Sequence, residues 1–179
     1  MSQSVKFKKL DKALNDFGRF VVSQARANLT RKKKNVSRKL YDSINYELVT
    51  SGSGQSFTLK LKMLEYGEYQ DQGVSGTEKK YNTRFKYTNR RPPAKVFDKW
   101  IVKRGLEGIR DEQGRFVTRK SLQYAIATSV YKRGIRPSYF FTRAFNLGFK
   151  KLPKEVREAF ALDVRDFLEF TLKNNFKET

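Results

Sequence analysis

Acidic side chains are the catalytic groups that this sequence leaves available, because its 179 residues include no Cys and no His. A Ser-His-Asp triad and an imidazole base are therefore excluded. A thiolate nucleophile, a disulfide, a zinc knuckle and an iron–sulfur site are excluded as well. We expect a binding or structural protein rather than an enzyme, and one without a cofactor.

Glu65, Glu68 and Asp71 cluster after a predicted β-hairpin and could hold a divalent metal for a nuclease. Residues 78–80 add an acid followed by two lysines. A metal nuclease needs carboxylates that converge on one point with a lysine beside them. The order of strands, acids and lysine that such a site uses is not evident here. A metal-dependent nuclease is therefore the less favoured alternative.

Two further acidic pairs, Glu155 with Glu158 and Asp163 with Asp166, have the i,i+3 spacing of neighbours on a helix. Lys and Arg residues surround them in the last predicted helix. This pattern is typical of a solvated face with ion pairs and does not indicate catalysis.

The net charge of +21 is distributed unevenly along the chain. Residues 1–40 carry +10, residues 77–120 carry +9 and residues 121–151 carry +6, whereas residues 41–76 carry −3 and residues 152–179 carry −1. A protein with this charge works against a negative surface, such as DNA or an acidic protein.

Two basic runs are the candidate contacts with such a partner. The first is a basic loop over about residues 30–38, which follows a predicted helix; a solvated loop is the alternative reading. In the second run, Tyr81, Phe85 and Tyr87 alternate with polar residues, as in a further strand or in a strip on which bases stack. We favour the strand. The candidate contact residues are Arg31, Lys32, Lys33, Lys34, Lys79, Lys80, Arg84, Lys86, Arg90 and Arg91.

The hydrophobic pattern predicts an α+β fold in one domain over residues 1–179. An amphipathic helix over about residues 8–29 comes first. Apolar residues at every second position from Ile44 to Leu48, and again from Phe57 to Met63, predict an antiparallel hairpin with a turn at Ser51–Gly54.

Helices follow this hairpin. A short one is predicted over about residues 64–70, closing at Gly73. Pro92-Pro93 opens the next predicted helix, whose inward residues are Val96, Phe97, Trp100 and Ile101. An excursion over about 105–120 follows, with a turn at 111–114, and leads to a helix over 119–133 whose inward residues are Leu122, Ala125, Ile126, Ser129 and Val130.

The last two predicted helices complete the chain. One begins at Pro137 and carries Phe141, Phe145 and Phe149, and the C-terminal helix extends over about 154–174.

Four short motifs follow the first predicted helix, and together with that helix they extend over about residues 10–150. They are a Leu-x-x-Ser-Ile segment entering a strand, a Tyr-small-x-Tyr segment with an acid and a glycine, a Pro-Pro pair before a helix with a central Trp, and a Gly-Ile-x-Pro step into an aromatic helix. In this sequence they occupy residues 40–44, 66–74, 92–101 and 134–145. This order resembles the neck, or tail-completion, proteins of tailed bacteriophages.

Two positions depart from the pattern of that family. Arg38 stands where the family often has glycine, and Asp71-Gln72-Gly73-Val74 replaces its usual Glu-x-Gly-Thr. These departures concern loop contacts and leave the expected fold unchanged.

The resemblance implies a non-enzymatic, structural protein of the virion, located in the neck or tail region and assembled in the host cytoplasm. Copies would form a homo-oligomeric ring that joins the head portal or adaptor to the tail and lets DNA pass. Because like-charged subunits repel, such a ring needs acid nearby, from genomic DNA in the channel or from acidic portal or tail proteins. A free-standing basic nucleic-acid-binding protein is the alternative. No membrane association is expected, because no apolar run approaches the ~20 residues of a membrane span.

Overall fold

A computed structural model of the chain describes residues 3–50 and 57–159. The chain divides into two compact units, of which one comprises Met1–Gly67 with Tyr139–Thr179 and the other comprises Glu68–Ser138. We call them the terminal unit and the inserted unit. The predicted α+β class is confirmed. A division into compact units does not show whether either unit folds independently. The single domain over residues 1–179 therefore stays a prediction.

The predicted elements are largely present. The hairpin and the helix over 119–133 are confirmed, the first helix is longer than predicted, and the C-terminal helix lies outside the described residues beyond 159. In chain order the elements are α1 Gln3–Arg31, α2 Lys39–Ser43, β1 Asn45–Thr50, β2 Phe57–Lys62, α3 Tyr66–Gln72, a 3₁₀ helix Ala94–Phe97, α4 Asp98–Lys103, α5 Arg119–Arg133, α6 Phe140–Lys151 and α7 Lys154–Ala159.

The two strands pair antiparallel, with Tyr46 opposite Leu61 and Leu48 opposite Leu59. Leu61 is buried on the face that meets the core. On an exposed face Lys62 forms an ion pair of 2.7 Å with Glu47. The alternating pattern therefore sets which face is buried. The predicted turn at 51–54 lies outside the described residues.

The core of the terminal unit forms where α1 packs on α6. One stripe of α1, at residues 17, 21, 25 and 29, is buried against the aromatic side of α6. The rings of Phe17 and Phe145 meet edge to face with centroids 5.4 Å apart. A Cβ on Gly148 would lie 3.0 Å from the Phe17 ring, so this glycine allows the two helices to approach closely.

Gly18 lies inside α1 and does not interrupt the helix. A Cβ at this position would collide with the ring of Tyr46 from β1. The Tyr46 hydroxyl donates to Oδ1 of Asn15 at 3.4 Å. Gly18 therefore lets the hairpin lie directly on the helix, at the cost of some helix propensity.

Two polar side chains of α1 hold neighbouring segments by their backbone. Arg26 donates from Nε to the Tyr41 carbonyl at 3.1 Å and from Nη2 to the Ile44 carbonyl at 2.9 Å. The buried Asn28 donates from Nδ2 to the Phe140 carbonyl at 2.9 Å. These bonds connect α1 to α2, to the residue just before β1 and to the start of α6.

The segments by which the chain enters and leaves the inserted unit pair with each other. Val74 and Ile135 exchange backbone hydrogen bonds of 2.8 Å in both directions. Gly134, with φ of 72° and ψ of −166°, lies in a region open essentially to glycine alone. A Cβ there would collide with the Val74 carbonyl. This close pairing depends on the absence of a side chain at 134.

The predicted strand through Tyr81, Phe85 and Tyr87 is wrong. Within the described residues β1 and β2 form the only sheet, and this segment contributes one isolated bridge between Ser75 and Lys86. The Ser75 hydroxyl accepts from the Tyr81 N–H at 3.0 Å and donates to its carbonyl at 3.2 Å. The Ser75 backbone also donates to the Phe85 carbonyl at 2.8 Å and accepts from the Tyr87 N–H at 2.9 Å. One residue, rather than a neighbouring strand, therefore satisfies these backbone groups.

The predicted inward faces in the inserted unit are partly wrong. Ile101 of α4 is buried, but Val96 and Trp100 are exposed. On α5 the buried residue is Ala127, whereas the predicted Ala125 and Ser129 are exposed. Within the inserted unit the 3₁₀ helix packs chiefly on α5, and α4 packs on the 3₁₀ helix and on α5.

The excursion between α4 and α5 is held by local polar contacts. Gly114 has φ of 76° at the predicted turn, and Arg110 bridges to Phe116. Arg119 at the start of α5 donates two hydrogen bonds of 2.7 Å to the Asp98 carboxylate. These bonds raise the pKa of the Arg119 guanidinium. In the described ranges, no helix is long and apolar enough to cross a membrane.

We predict that Gly134→Ala destabilises the protein more than Gly114→Ala does. Both glycines have φ near +75°, but a Cβ at 114 meets open space, whereas one at 134 meets the Val74 carbonyl. Backbone strain alone costs about 1–2 kcal/mol, and the collision adds to that cost at 134. Urea denaturation measures both free energies of unfolding; equal losses would contradict the prediction.

Candidate partner-binding surface

The basic loop begins with a defined helix end rather than with irregular chain. The Lys33 N–H donates to the Thr30 carbonyl and the Lys34 N–H donates to the Leu29 carbonyl, both at 2.9 Å. With φ of 52° at Lys33, these bonds form the motif that usually has glycine at this position. A lysine is therefore held in a left-handed conformation just after α1.

Arg38 at the far side of this loop is the second left-handed cation, with φ of 58°. Its guanidinium lies 5.1 Å from the centre of the Tyr41 ring. Arg31 donates from Nη2 to Oδ1 of the buried Asn28 at 2.9 Å. Lys33 and Lys34 are exposed and Lys32 is half-buried. The loop therefore presents its lysines from a backbone that is fixed at both ends.

The second basic run lies in the inserted unit and is partly engaged within it. Lys80 donates from Nζ to the Gly76 carbonyl at 2.9 Å, and Lys79 lies 5.7 Å from the centre of the Tyr81 ring. Arg91 donates from Nη1 to the Thr128 hydroxyl at 2.9 Å. Lys86 and Arg90 are exposed. These exposed cations are the members of the run best placed for a partner.

Arg84 has an internal role that the sequence did not indicate. Its Nη2 lies 2.5 Å from Oε1 of Glu68, whose side chain is 9% exposed. Gln72 donates to the same oxygen at 3.3 Å. A buried carboxylate needs such partners, because an unpaired charge away from water is costly.

The alternating aromatic residues pack against the protein. The Phe85 ring meets Tyr69 edge to face with centroids 4.6 Å apart, and Tyr87 lies 6.2 Å from Tyr131. Burial raises the pKa of the Tyr87 hydroxyl. The side chains of Phe85, Tyr87 and Tyr81 are half-buried. This packing reduces the ring surface on which a base could stack.

The acidic cluster considered for a metal does not converge. Glu65 is exposed, whereas Glu68 and Asp71 are buried, and Glu68 is paired with Arg84. No group of three acidic side chains that could hold a metal ion occurs in the described part of the chain. The site chemistry of a metal nuclease therefore has no support in this cluster.

Exposed apolar side chains in the inserted unit are a feature that sequence reasoning missed. Val96, Trp100, Phe116 and Tyr124 all lie between residues 94 and 124 and are exposed. The sequence pattern predicts a buried position for Val96 and Trp100 and makes no prediction for Phe116 and Tyr124. Exposed apolar side chains are candidates for interaction surfaces where they adjoin one another, as Val96 and Trp100 do at a spacing of four residues on consecutive helices.

We predict that Lys33→Gly stabilises the protein by about 1 kcal/mol, because glycine adopts a left-handed conformation without the strain of a side chain. Lys32→Gly is the matched control. Lys32 has no positive φ, and its N–H continues the helical bonding to the Asn28 carbonyl, so glycine there is destabilising. Thermal unfolding of both variants checks the opposite signs; a loss of stability in Lys33→Gly refutes the interpretation.

We predict that Arg84→Ala lowers the free energy of unfolding by about 1–3 kcal/mol, because it removes the guanidinium that pairs with the buried Glu68 carboxylate. Arg90→Ala removes an equal charge at an exposed position and should change stability by less than about 0.5 kcal/mol. Adding Glu68→Gln to Arg84→Ala should recover part of the loss. Chemical denaturation of the variants measures the differences, and equal effects of the two alanine substitutions would show that the pair is not important.

Comparison with known proteins yields no relative: no protein-family model, curated protein or solved structure matches this chain. The interpretation of its surfaces therefore depends on its own residues.

Proposed function

We propose that this protein is a structural subunit of a tailed-phage neck, where copies form a ring that joins the head portal or adaptor to the tail and lets DNA pass. The observation that carries the proposal is the conformation of Arg38. The phage family that the sequence resembles often has glycine there, and the backbone has φ of 58°, which glycine favours. A backbone that suits glycine, at a position where the resembled family often has glycine, supports the proposal.

The first motif of the resemblance also has a clear structural basis. Leu40 and Ile44 are both buried in the core of the terminal unit. In the next motif a small residue follows Tyr66, and a Cβ at Gly67 would lie 2.8 Å from the side chains of Leu40 and Met63. The Leu-x-x-Ser-Ile and Tyr-small-x-Tyr segments therefore pack against each other, which accounts for the small residue.

The motifs at 66–74 and 134–145 are linked by backbone pairing. Val74 and Ile135 form an isolated antiparallel bridge within the inserted unit. Gly73, at φ of 77°, has Pro137 so close that a Cβ would meet its ring at 2.7 Å. Gly73 and Gly134, one from each motif, therefore allow the two segments to approach each other closely.

The charge supports an assembly role and requires an acidic neighbour. Identical subunits each carrying +21 repel one another when packed in a closed ring of head-to-tail contacts. DNA in the channel or an acidic portal or tail protein would offset that repulsion. We assign the contact with it to the two basic runs, through Lys32, Lys33 and Lys34 in one and Lys86 and Arg90 in the other.

Negative-stain imaging of the purified full chain tests the ring. We expect closed rings with a central channel. A monomer that binds DNA tightly and loses that affinity steeply with salt would instead favour a free-standing nucleic-acid-binding protein. Mg²⁺-dependent cleavage of DNA would favour the nuclease.

We predict that replacing Lys32, Lys33 and Lys34 with Glu abolishes the joining of DNA-filled heads to tails, because the loop then repels its acidic partner. The matched control replaces Lys8, Lys12 and Arg19 with Glu, which makes the same change in charge at exposed positions of α1. The yield of joined particles, counted by electron microscopy, measures the effect. Joining that is unimpaired, or equally impaired in both variants, would remove the basic loop from the proposal.

A further inference from the structure

We infer that the exposed face of the 3₁₀ helix and α4 binds the acidic C-terminal segment, residues 160–172, of a second copy of this chain. We call this face the Trp100 surface and define it by Val96, Lys99, Trp100 and Lys103. The inference rests on the proposed ring, because it names the contact between neighbouring subunits.

The Trp100 surface is apolar at its centre and basic at its edges. Val96 and Trp100 lie four residues apart on one side of the consecutive helices, with exposed fractions of 62% and 39%. Lys99 and Lys103 follow them by three residues each, and both are exposed. The opposite side is anchored by the buried Ile101. An exposed Trp beside a Val, framed by lysines, suits an amphipathic partner with acids beside its apolar seam.

The acids nearest to this surface in sequence are already paired. Asp98 accepts two hydrogen bonds from Arg119, and Glu107 lies 3.3 Å from the same arginine. Arg119 therefore neutralises much of the local negative charge. Lys99 and Lys103 keep a positive field around the apolar pair, so the complementary partner is acidic.

Residues 160–172 of this chain have the required chemistry. They carry Asp163, Asp166 and Glu169 against a single base, Arg165, among Phe, Leu and Val residues. Their sequence predicts an amphipathic helix with Phe160, Val164 and Phe167 on one seam. In a chain of net charge +21, this is an acidic stretch with a large apolar content. It matches the Trp100 surface in both charge and hydrophobicity.

The occupant is the segment of a second copy, because the proposed function places neighbouring copies of the chain beside one another in a ring. A ring built from head-to-tail contacts needs two different, complementary surfaces on every subunit. The Trp100 surface and the C-terminal segment supply one of each. Their attraction would also offset part of the repulsion between basic subunits.

The test uses Trp100 as its own reporter, since it is the only Trp in the sequence. Full-length protein is titrated over a wide concentration range while fluorescence and light scattering are recorded. We expect the emission to shift to shorter wavelength as the mass rises, because docking shields the indole from water. A mass that rises without an emission shift, or an emission that is already shifted and does not change with concentration, overturns the inference.

Charge variants of the full chain identify the occupant. Asp163→Lys with Asp166→Lys should abolish the shift. The matched control, Glu155→Lys with Glu158→Lys, has the same spacing and the same change in charge and should retain it. Adding Lys99→Glu and Lys103→Glu to the Asp163→Lys/Asp166→Lys chain should restore it. Circular dichroism checks that each variant is folded. Equal loss in both lysine variants, or no restoration by the charge swap, refutes the contact.

This experiment separates the contact from the proposed function. Rings with a channel in which Trp100 emission does not shift would sustain the neck proposal and reject this interface. A concentration-dependent shift in assemblies without a channel would sustain the interface and reject the neck proposal.

Discussion

The packing of α1 on α6 is the contact on which the terminal unit depends. It brings together two helices separated by more than a hundred residues, and it buries Phe17, Val21 and Phe145 between them. Gly148 permits the close approach on one side of α1, and Gly18 permits the hairpin to lie on another. Because interiors are tightly packed, helices joined in this way have few alternative arrangements. The loop of basic residues after α1 is consequently presented from a fixed base.

The inserted unit follows a different principle. Its backbone is held by paired segments at 74 and 135, by hydrogen bonds from side chains such as Ser75, and by ion pairs of Arg119 and Arg84. It buries few large apolar residues, and it leaves Trp100 and its neighbours exposed. A unit that buries few large apolar residues can display an apolar surface without using it for its own core. That property suits a protein whose partners complete its surfaces, which is the role we propose for it.

Charge and close packing make different demands on the same residues. Arg26 and Arg84 use their guanidinium groups to hold backbone and a buried carboxylate, although the net charge suggests only an outward role for them. Lys33 and Arg38 occupy backbone conformations that glycine would adopt with less strain. Strain that persists at two cations of one loop is consistent with a requirement for charge there that outweighs its cost in stability.

The sequence by itself determined the α+β class, the buried stripe of α1, the antiparallel hairpin and the bounds of the helix at 119–133, because these depend on local periodicity and on glycine and proline signals. It also determined the absence of thiol and imidazole chemistry. Only the tertiary structure decided that residues 81–87 form no strand, that Trp100 is exposed and that Arg84 pairs with Glu68. Each of these depends on which distant segment lies opposite, and a periodic pattern contains no information about its partner. An alternating aromatic run is compatible with a strand or with a loop, and the partners of its backbone hydrogen bonds decide between them.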